Sequence, residues 1–280
     1  MKDKIRIIFL SLFAISVLGA CKETVLQPSE NQSSQYSLPQ GNHPFDQRIV
    51  DFHKKYGTYI LYKFTEEDFR WNFTLRLAYS GIPADPDRVE KALNFLDKEL
   101  FGYYDEELLK QLLPFKFMLS KEIRWLDLAT GYPDPGPMDA VCSESHVAFG
   151  HVGPRWDSFT EQKIRAVKGN LHGTLWRSAM ERKKIEKAPN FIKGIDYSNV
   201  ASWNYRDFGI FNSTSNSATQ DFGDYIARIT SHTLAELETL YFNPEFDPTG
   251  IYRAKYEALI AFYKANYNID LQTIGNAKLH

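Results

Sequence analysis

Apolar positions recur at three- and four-residue intervals along several stretches of the chain and cluster into short runs elsewhere. Phe45, Ile49, Phe52 and Tyr56 keep the helical interval over residues 44–56, and Gly57 supplies the stop. The following segment, Thr58 to Phe64 (TYILYKF), is β-branched and aromatic and reads as a strand. Asp85 before Pro86 marks a helix start, since Asp can cap and Pro suits the first turn; Val89, Leu93, Leu96 and Leu100 set its buried face. A second helix is predicted from Asp105 to Leu113, ended by Pro114. Phe115–Leu119 and His146–Val152 are predicted strands, and Tyr132-Pro133-Asp134-Pro135-Gly136-Pro137 between them is a loop.

The second half is predicted to be more helical. From Phe159 to about Glu186, Ile164, Val167, Leu171 and Leu175 form one stripe. Gly169 and Gly173 fall inside this stretch. Each costs about 1 kcal/mol relative to Ala in a helix interior, so close packing or a ligand is expected there. Residues 196–218 mix Trp203, Tyr205, Phe208 and Phe211 with Asn, Ser and Thr, and long irregular segments of this kind are often functional loops. Gln220 to Tyr241 is predicted as one helix with Phe222, Ile226, Ile229 and Leu237 inward, and Thr249 to Tyr267 as another with Tyr252, Tyr256, Leu259, Ile260 and Tyr263. No internal repeat is visible.

Composition narrows the class. The chain has 280 residues with formal charge -2, and its pI near 6.4 lacks the basic excess of a nucleic-acid binder. Hydrophobic residues at 43% and charged residues at 24% are ordinary for a globular protein and exclude a disordered chain. The aromatic share of 15% fills a large core, and aromatic-rich surfaces also bind sugars and peptides.

The first twenty residues stand apart. Lys2, Lys4 and Arg6 precede an apolar run from Ile7 to Leu18, too short for a relaxed span of about 20 residues but suited to the h-region of a secretory signal. The run ends in Leu18-Gly19-Ala20-Cys21, which resembles the lipobox of bacterial lipoproteins, with Cys21 as the lipidated residue and mature N-terminus. Several acyl chains on Cys21 would hold the protein stably in a bilayer, where one would not. Residues 21–42, including Gln27-Pro28-Ser29-Glu30-Asn31-Gln32, are polar and aperiodic and read as a flexible tether, leaving 43–280 as the folded domain. With Cys21 lipidated, Cys142 has no disulfide partner and is expected to pack as a small hydrophobe.

The chain's own motifs identify no enzyme. His43, His53, His146, His151, His172, His232 and His280 form no His-Glu-x-x-His pair, and no Gly-rich phosphate loop, nucleophile elbow or paired-Cys motif occurs.

A family resemblance adds to this reading. Phe45-Asp46-Gln47-Arg48-Ile49-Val50, Tyr56-Gly57-Thr58-Tyr59-Ile60-Leu61-Tyr62-Lys63-Phe64, Asp221-Phe222-Gly223-Asp224-Tyr225 and Tyr267-Asn268-Ile269-Asp270-Leu271 resemble the substrate import-associated zinc metallohydrolase lipoproteins. The resemblance covers most of residues 45–271. It implies an α+β, zincin-like single domain with a small mixed sheet and a helical second half. It also implies attachment to the bacterial outer membrane through Cys21, on either face, and a role beside a receptor and transporter import complex with a peptide or glycan as cargo. In such proteins the zinc motif lies on the helix that here spans about 159–186. The matching stretch is His172-Gly173-Thr174-Leu175-Trp176: the first ligand is kept as His172, while Gly173 takes the place of the catalytic Glu and Trp176 that of the second His. Gly173 offers no base, and an indole offers only an N–H donor. Asp221 and Asp224, at i and i+3, remain as candidate acidic ligands. The resemblance thus implies that zinc is a possible cofactor with a poor ligand set, that no catalytic residue is present, and that a Trp176 ring fills part of a former cleft. Trp176, Trp203 and Tyr205 are candidate ligand contacts. An active hydrolase with a non-standard ligand set, or a binding module using the same cleft, are the alternatives.

Overall fold

The computed structural model describes residues 36–70, 79–125 and 136–280, within which a compact unit runs from Leu38 to His280. The signal segment, Cys21 and the tether to residue 35 lie outside the described residues, as do 71–78 and 126–135, which include most of the Tyr132–Pro137 loop.

Helix α1 (Asp46–Tyr56) closes on Gly57, whose left-handed backbone (φ 74°) lets its N–H reach His53 O. Strand β1 pairs only over Tyr59–Leu61, shorter than the predicted 58–64. The next backbone N–H groups, of Tyr62 and Lys63, are taken by the Gln40 side-chain oxygen at 2.8 and 3.2 Å, which diverts the strand. A short helix α2 (Glu66–Arg70) and a strand β2 (Tyr79–Pro83) follow; the sequence pattern signalled neither. Helix α3 (Pro86–Glu99) starts where predicted, but Asp85 gives its carboxylate to Lys121 Nζ at 3.0 Å instead of capping the helix. Helix α4 (Glu106–Leu112) is capped by Asp105, which accepts from Leu108 N.

Strand β3 (Lys116–Trp125) is the longest and pairs with three others. Its first residues pair in parallel with β1 on one side and β5 (His146–Phe149) on the other; its last residues pair antiparallel with β2. A short β4 (Ala140–Cys142) pairs antiparallel with β5, giving the order β1-β3-β5-β4. The predicted strand to Val152 stops at Phe149, and at Gly150 the backbone passes so close to the Met138 carbonyl that a side chain has no room.

The second half is helical: α5 (Glu161–Glu181), α6 (Ala218–Ser231), α7 (Leu234–Leu240), α8 (Ile251–Tyr267) and α9 (Leu271–Asn276). Helix α5 ends at Glu181, short of the predicted Glu186, because Lys183 turns left-handed (φ 58°) and sends the chain back. The single helix predicted over 220–241 is two. Thr233 accepts from Glu236 N while Glu236 accepts in return from Thr233 N, a capping box that starts α7 afresh. One hydrophobic core joins the sheet to both sets of helices, with Leu171, Leu175, Phe117, Phe149, Phe222 and Tyr263 all buried. Among the described residues, no helix is long and apolar enough to cross a membrane.

Candidate functional site

Helix α5 carries the stretch that the family resemblance singles out. Thr160 caps it by accepting from Lys163 N, and most residues from Val167 to Met180 are buried. Such a helix has three working faces, each set by its sequence spacing.

The first face, Gly169 and Gly173 four residues apart, meets α6. A methyl group on Gly169 would run into Ala227 O and Ser231, and one on Gly173 into Gly223 O and Ala227. Gly223 lies opposite on α6, so both helices offer glycine where they cross and their backbones come close. Of the two explanations open for these glycines, close packing accounts for both.

The second face, Lys168, His172 and Trp176, meets residues 99–104. His172 is wholly buried. Its Nε2 lies 2.9 Å from Glu99 O, which accepts only, so Nε2 carries the hydrogen and donates. Its Nδ1 then accepts the Tyr104 hydroxyl hydrogen at 2.5 Å. The Tyr104 oxygen in turn accepts from Trp176 Nε1 at 2.9 Å. The chain Trp176 to Tyr104 to His172 to Glu99 leaves no indole, hydroxyl or imidazole group without a partner. Burial, followed by the Lys168 charge, pushes the His172 pKa down to about 3, so the imidazole is neutral. The Trp176 ring packs against Tyr104, Phe222 and Tyr263, with centroids at 6.2, 6.2 and 4.8 Å. It is 0% exposed, so it fills core and offers a ligand no surface, unlike the cleft position the family resemblance implies. Beside it, Lys168 Nζ donates to Tyr103 OH and lies 3.0 Å from Glu99 Oε2.

The third face meets β4 and the residues flanking it. Asn170 donates to Asp139 Oδ2 at 2.6 Å, Arg177 Nε to Cys142 Sγ at 3.2 Å and Ser178 to Ser143 O. Burial raises the Cys142 thiol pKa against the pull of Arg177, which keeps it a buried thiol. The Asp139 carboxylate also accepts from His151 Nε2 at 2.7 Å and Lys163 Nζ at 2.6 Å. Burial alone would raise its pKa, but these donors bring it down to about 2. Sequence reasoning missed this Asp139–His151–Lys163–Asn170 cluster, and no local pattern announces it.

The acidic candidates sit on α6. Asp221 is wholly buried and pairs with Lys255 of α8: Nζ lies 2.5 Å from Oδ2, which also accepts from Tyr197 OH at 2.7 Å. Lys255 further donates to Gly209 O at 3.1 Å and packs over the rings of Phe191 and Tyr225 at 4.6 and 4.9 Å. Burial raises the Asp221 pKa to about 6 and lowers that of Lys255. Asp224 accepts from Ser215 Oγ at 2.5 Å. Neither aspartate caps its helix; Ser217 does. The irregular 196–218 segment therefore supports the helices packed against it. Its Tyr197 and Ser215 donate to the two aspartates, while Gly209 O and Ile210 O accept from Tyr225 and Tyr252. Of its aromatics, Trp203 stands 84% exposed and Tyr205 is half-buried.

His172, Asp221 and Asp224 share no partner, and among the described residues no three His, Cys, Asp or Glu side chains gather as a metal-binding group. Their donor chemistry does not fit zinc. The one lone pair of neutral His172 takes a hydroxyl hydrogen, and the ammonium of Lys255 already supplies the cation beside Asp221.

No family model matches the chain, and no curated protein matches it by sequence. A match to a solved structure covers 83% of this chain and 88% of the other, at 12% identity and a TM-score of 0.52. At that identity the match establishes the architecture alone: the chain has an α+β, zincin-like fold similar to that of a candidate zinc-binding metallo-peptidase from Bacteroides caccae ATCC 43185.

Proposed function

We propose that this protein is a lipid-anchored accessory or binding component of nutrient import at the bacterial outer membrane, built on a metallopeptidase-like fold from which hydrolysis has been lost. The anchoring half of the reading rests on Leu18-Gly19-Ala20-Cys21 after a short apolar run. The loss of hydrolysis rests on one observation, the closed hydrogen-bond chain that commits both ring nitrogens of His172 to Tyr104 and Glu99. A zinc hydrolase needs about three protein ligands, an open position and a base for the water proton. On the helix where the family resemblance places them, Gly173 supplies no side chain and Trp176 is a core ring. The import role comes from the family resemblance, and a receptor and transporter pair encoded beside this gene would strengthen it.

Elemental analysis tests the catalytic half. Protein purified and dialysed without chelator is expected to hold far less than one zinc per chain and to cleave no peptide with or without added zinc. Near-stoichiometric zinc that disappears in His172→Ala would overturn the reading. Radioactive fatty-acid labelling tests the anchor: label is expected on the wild type and absent from Cys21→Ser, and equal label on both would remove the anchor from the proposal.

A further inference from the structure

A cleft of about 600 Å³ opens where the first turns of α5, the last turn of α6 and the helix α7 meet. That volume lies within the range of small-molecule sites. Two arginines line it. Arg165 is spent, its two terminal nitrogens donating to both carboxylate oxygens of Glu236 at 3.0 and 2.6 Å. Arg228 is not. Among the described residues its guanidinium has no hydrogen-bond or ion-pair partner, and it lies over the rings of Phe211 and Tyr241 at 5.7 and 5.4 Å. A basic residue in a last turn offsets the helix dipole, but charge alone achieves that. Lying over two rings does more: it holds the charge at the cleft while its N–H donors meet no protein acceptor among the described residues.

His232 lines the same cleft. Its Nδ1 lies 2.8 Å from Ser231 Oγ and 3.1 Å from Arg228 O. The Ser231 hydroxyl already donates to Ala227 O at 2.6 Å, so Nδ1 carries the hydrogen, and Nε2 has no partner among the described residues. The Tyr241 ring meets the imidazole edge-on at 5.8 Å, and Leu240 stands 47% exposed at the same cleft.

We propose that this cleft binds the carboxylate of a small organic monoanion, gripped by Arg228, with its apolar part lying on Leu240 and the Tyr241 ring. The guanidinium fork matches a carboxylate, which can take two parallel N–H bonds. The charge of the cleft disfavours a dianion. Arg165 and Arg228 are balanced by Glu161 and Glu236, all four lining it, so a dianionic phosphate would meet two carboxylates with no surplus of positive charge. A free aromatic acid and the C-terminus of a peptide present the same group. The inference goes beyond the proposed function and stands whether or not residues 172–176 once held zinc.

Calorimetric titration of the full-length chain in detergent tests it with four probes: benzoate, a hydrophobic tripeptide with a free C-terminus, the same tripeptide amidated, and inorganic phosphate. Benzoate or the free-acid tripeptide is expected to bind, and whichever is tighter identifies the source of the carboxylate. Amidation is expected to weaken the tripeptide at least tenfold, and phosphate to bind more weakly than either acid. Hydrogen bonds to charged groups are worth roughly ten- to a hundredfold in affinity, so Arg228→Gln is expected to lose about that factor. Arg228→Lys keeps the charge and the helix-end compensation but loses the fork, so it too is expected to bind severalfold more weakly, with an unchanged melting temperature. The proposal fails if neither acid binds in the millimolar range, if phosphate binds more tightly than both, or if Arg228→Lys and Arg228→Gln bind as the wild type does.

Discussion

Lys255→Met is expected to destabilise the domain by about 3–5 kcal/mol, because it leaves the Asp221 carboxylate buried without its counter-charge. Methionine keeps most of the volume between the Phe191 and Tyr225 rings, so the loss is chiefly electrostatic. Asp221 Oδ1 already has no hydrogen-bond partner, and removing Lys255 leaves Tyr197 as the remaining donor to Oδ2. Urea unfolding of the single variant and of Asp221→Asn/Lys255→Met gives the measurement. The double variant is expected to recover most of the loss, since a buried ion pair replaced as a unit costs little. The pH dependence has a definite sign. A carboxyl whose folded pKa is raised costs stability above that pKa and relieves the cost as pH falls through it. The Asp221 pKa stands near 6 with its partner present and rises further without it, so the Lys255→Met penalty shrinks on acidification below neutrality. A single-variant cost under about 1 kcal/mol at pH 8 would show that the pair is not buried in solution.

Gly173→Glu is expected to leave no cooperative thermal transition. The new side chain would start against Gly223 O and Ala227, and its carboxylate would be driven into the α5–α6 crossing with no partner. Gly173→Ala separates size from charge. In an exposed helix it would gain about 1 kcal/mol. Here overpacking is expected to outweigh that gain and leave a net loss of about 1–3 kcal/mol. Restoring the zinc motif by Gly173→Glu with Trp176→His therefore adds a second cost. It replaces the core indole between Tyr104, Phe222 and Tyr263 with a smaller, polar ring, a change bounded by the roughly 3–5 kcal/mol that full truncation of a buried aromatic to Ala costs. A Gly173→Glu protein that melts at the wild-type temperature would place residue 173 at a surface or cleft, and the helix assignment above would be wrong.

Element ends were legible where the signal is local. Gly57 and Asp105 bound their helices through bonds to residues three or four positions away, and such short-range chemistry is written in neighbouring letters. The break between α6 and α7 was equally local, a Thr-x-x-Glu capping box at Thr233, but the apolar interval runs on through Ile229 and Leu237 and conceals it. Strands β2 and β4 are short, and β2 contains Gly81 and Pro83; each exists because a neighbouring strand supplies its hydrogen bonds. The candidate site was half legible. The family resemblance singled out His172, Gly173 and Trp176. Their meaning depended on partners some seventy residues upstream, Tyr104 and Glu99, and on Gly223 in the next long helix.

The sequence alone carried the α+β pattern of elements and several of their boundaries. These follow from composition and from intervals of a few residues, which the local backbone already constrains. Tertiary structure decided the rest. It put His172 in a closed hydrogen-bond chain, made Gly169 and Gly173 a helix crossing, joined Asp221 to Lys255 and left the Arg228 guanidinium without a partner among the described residues. Each of those roles is a matter of which groups share a desolvated space, and that is determined only when distant segments pack together.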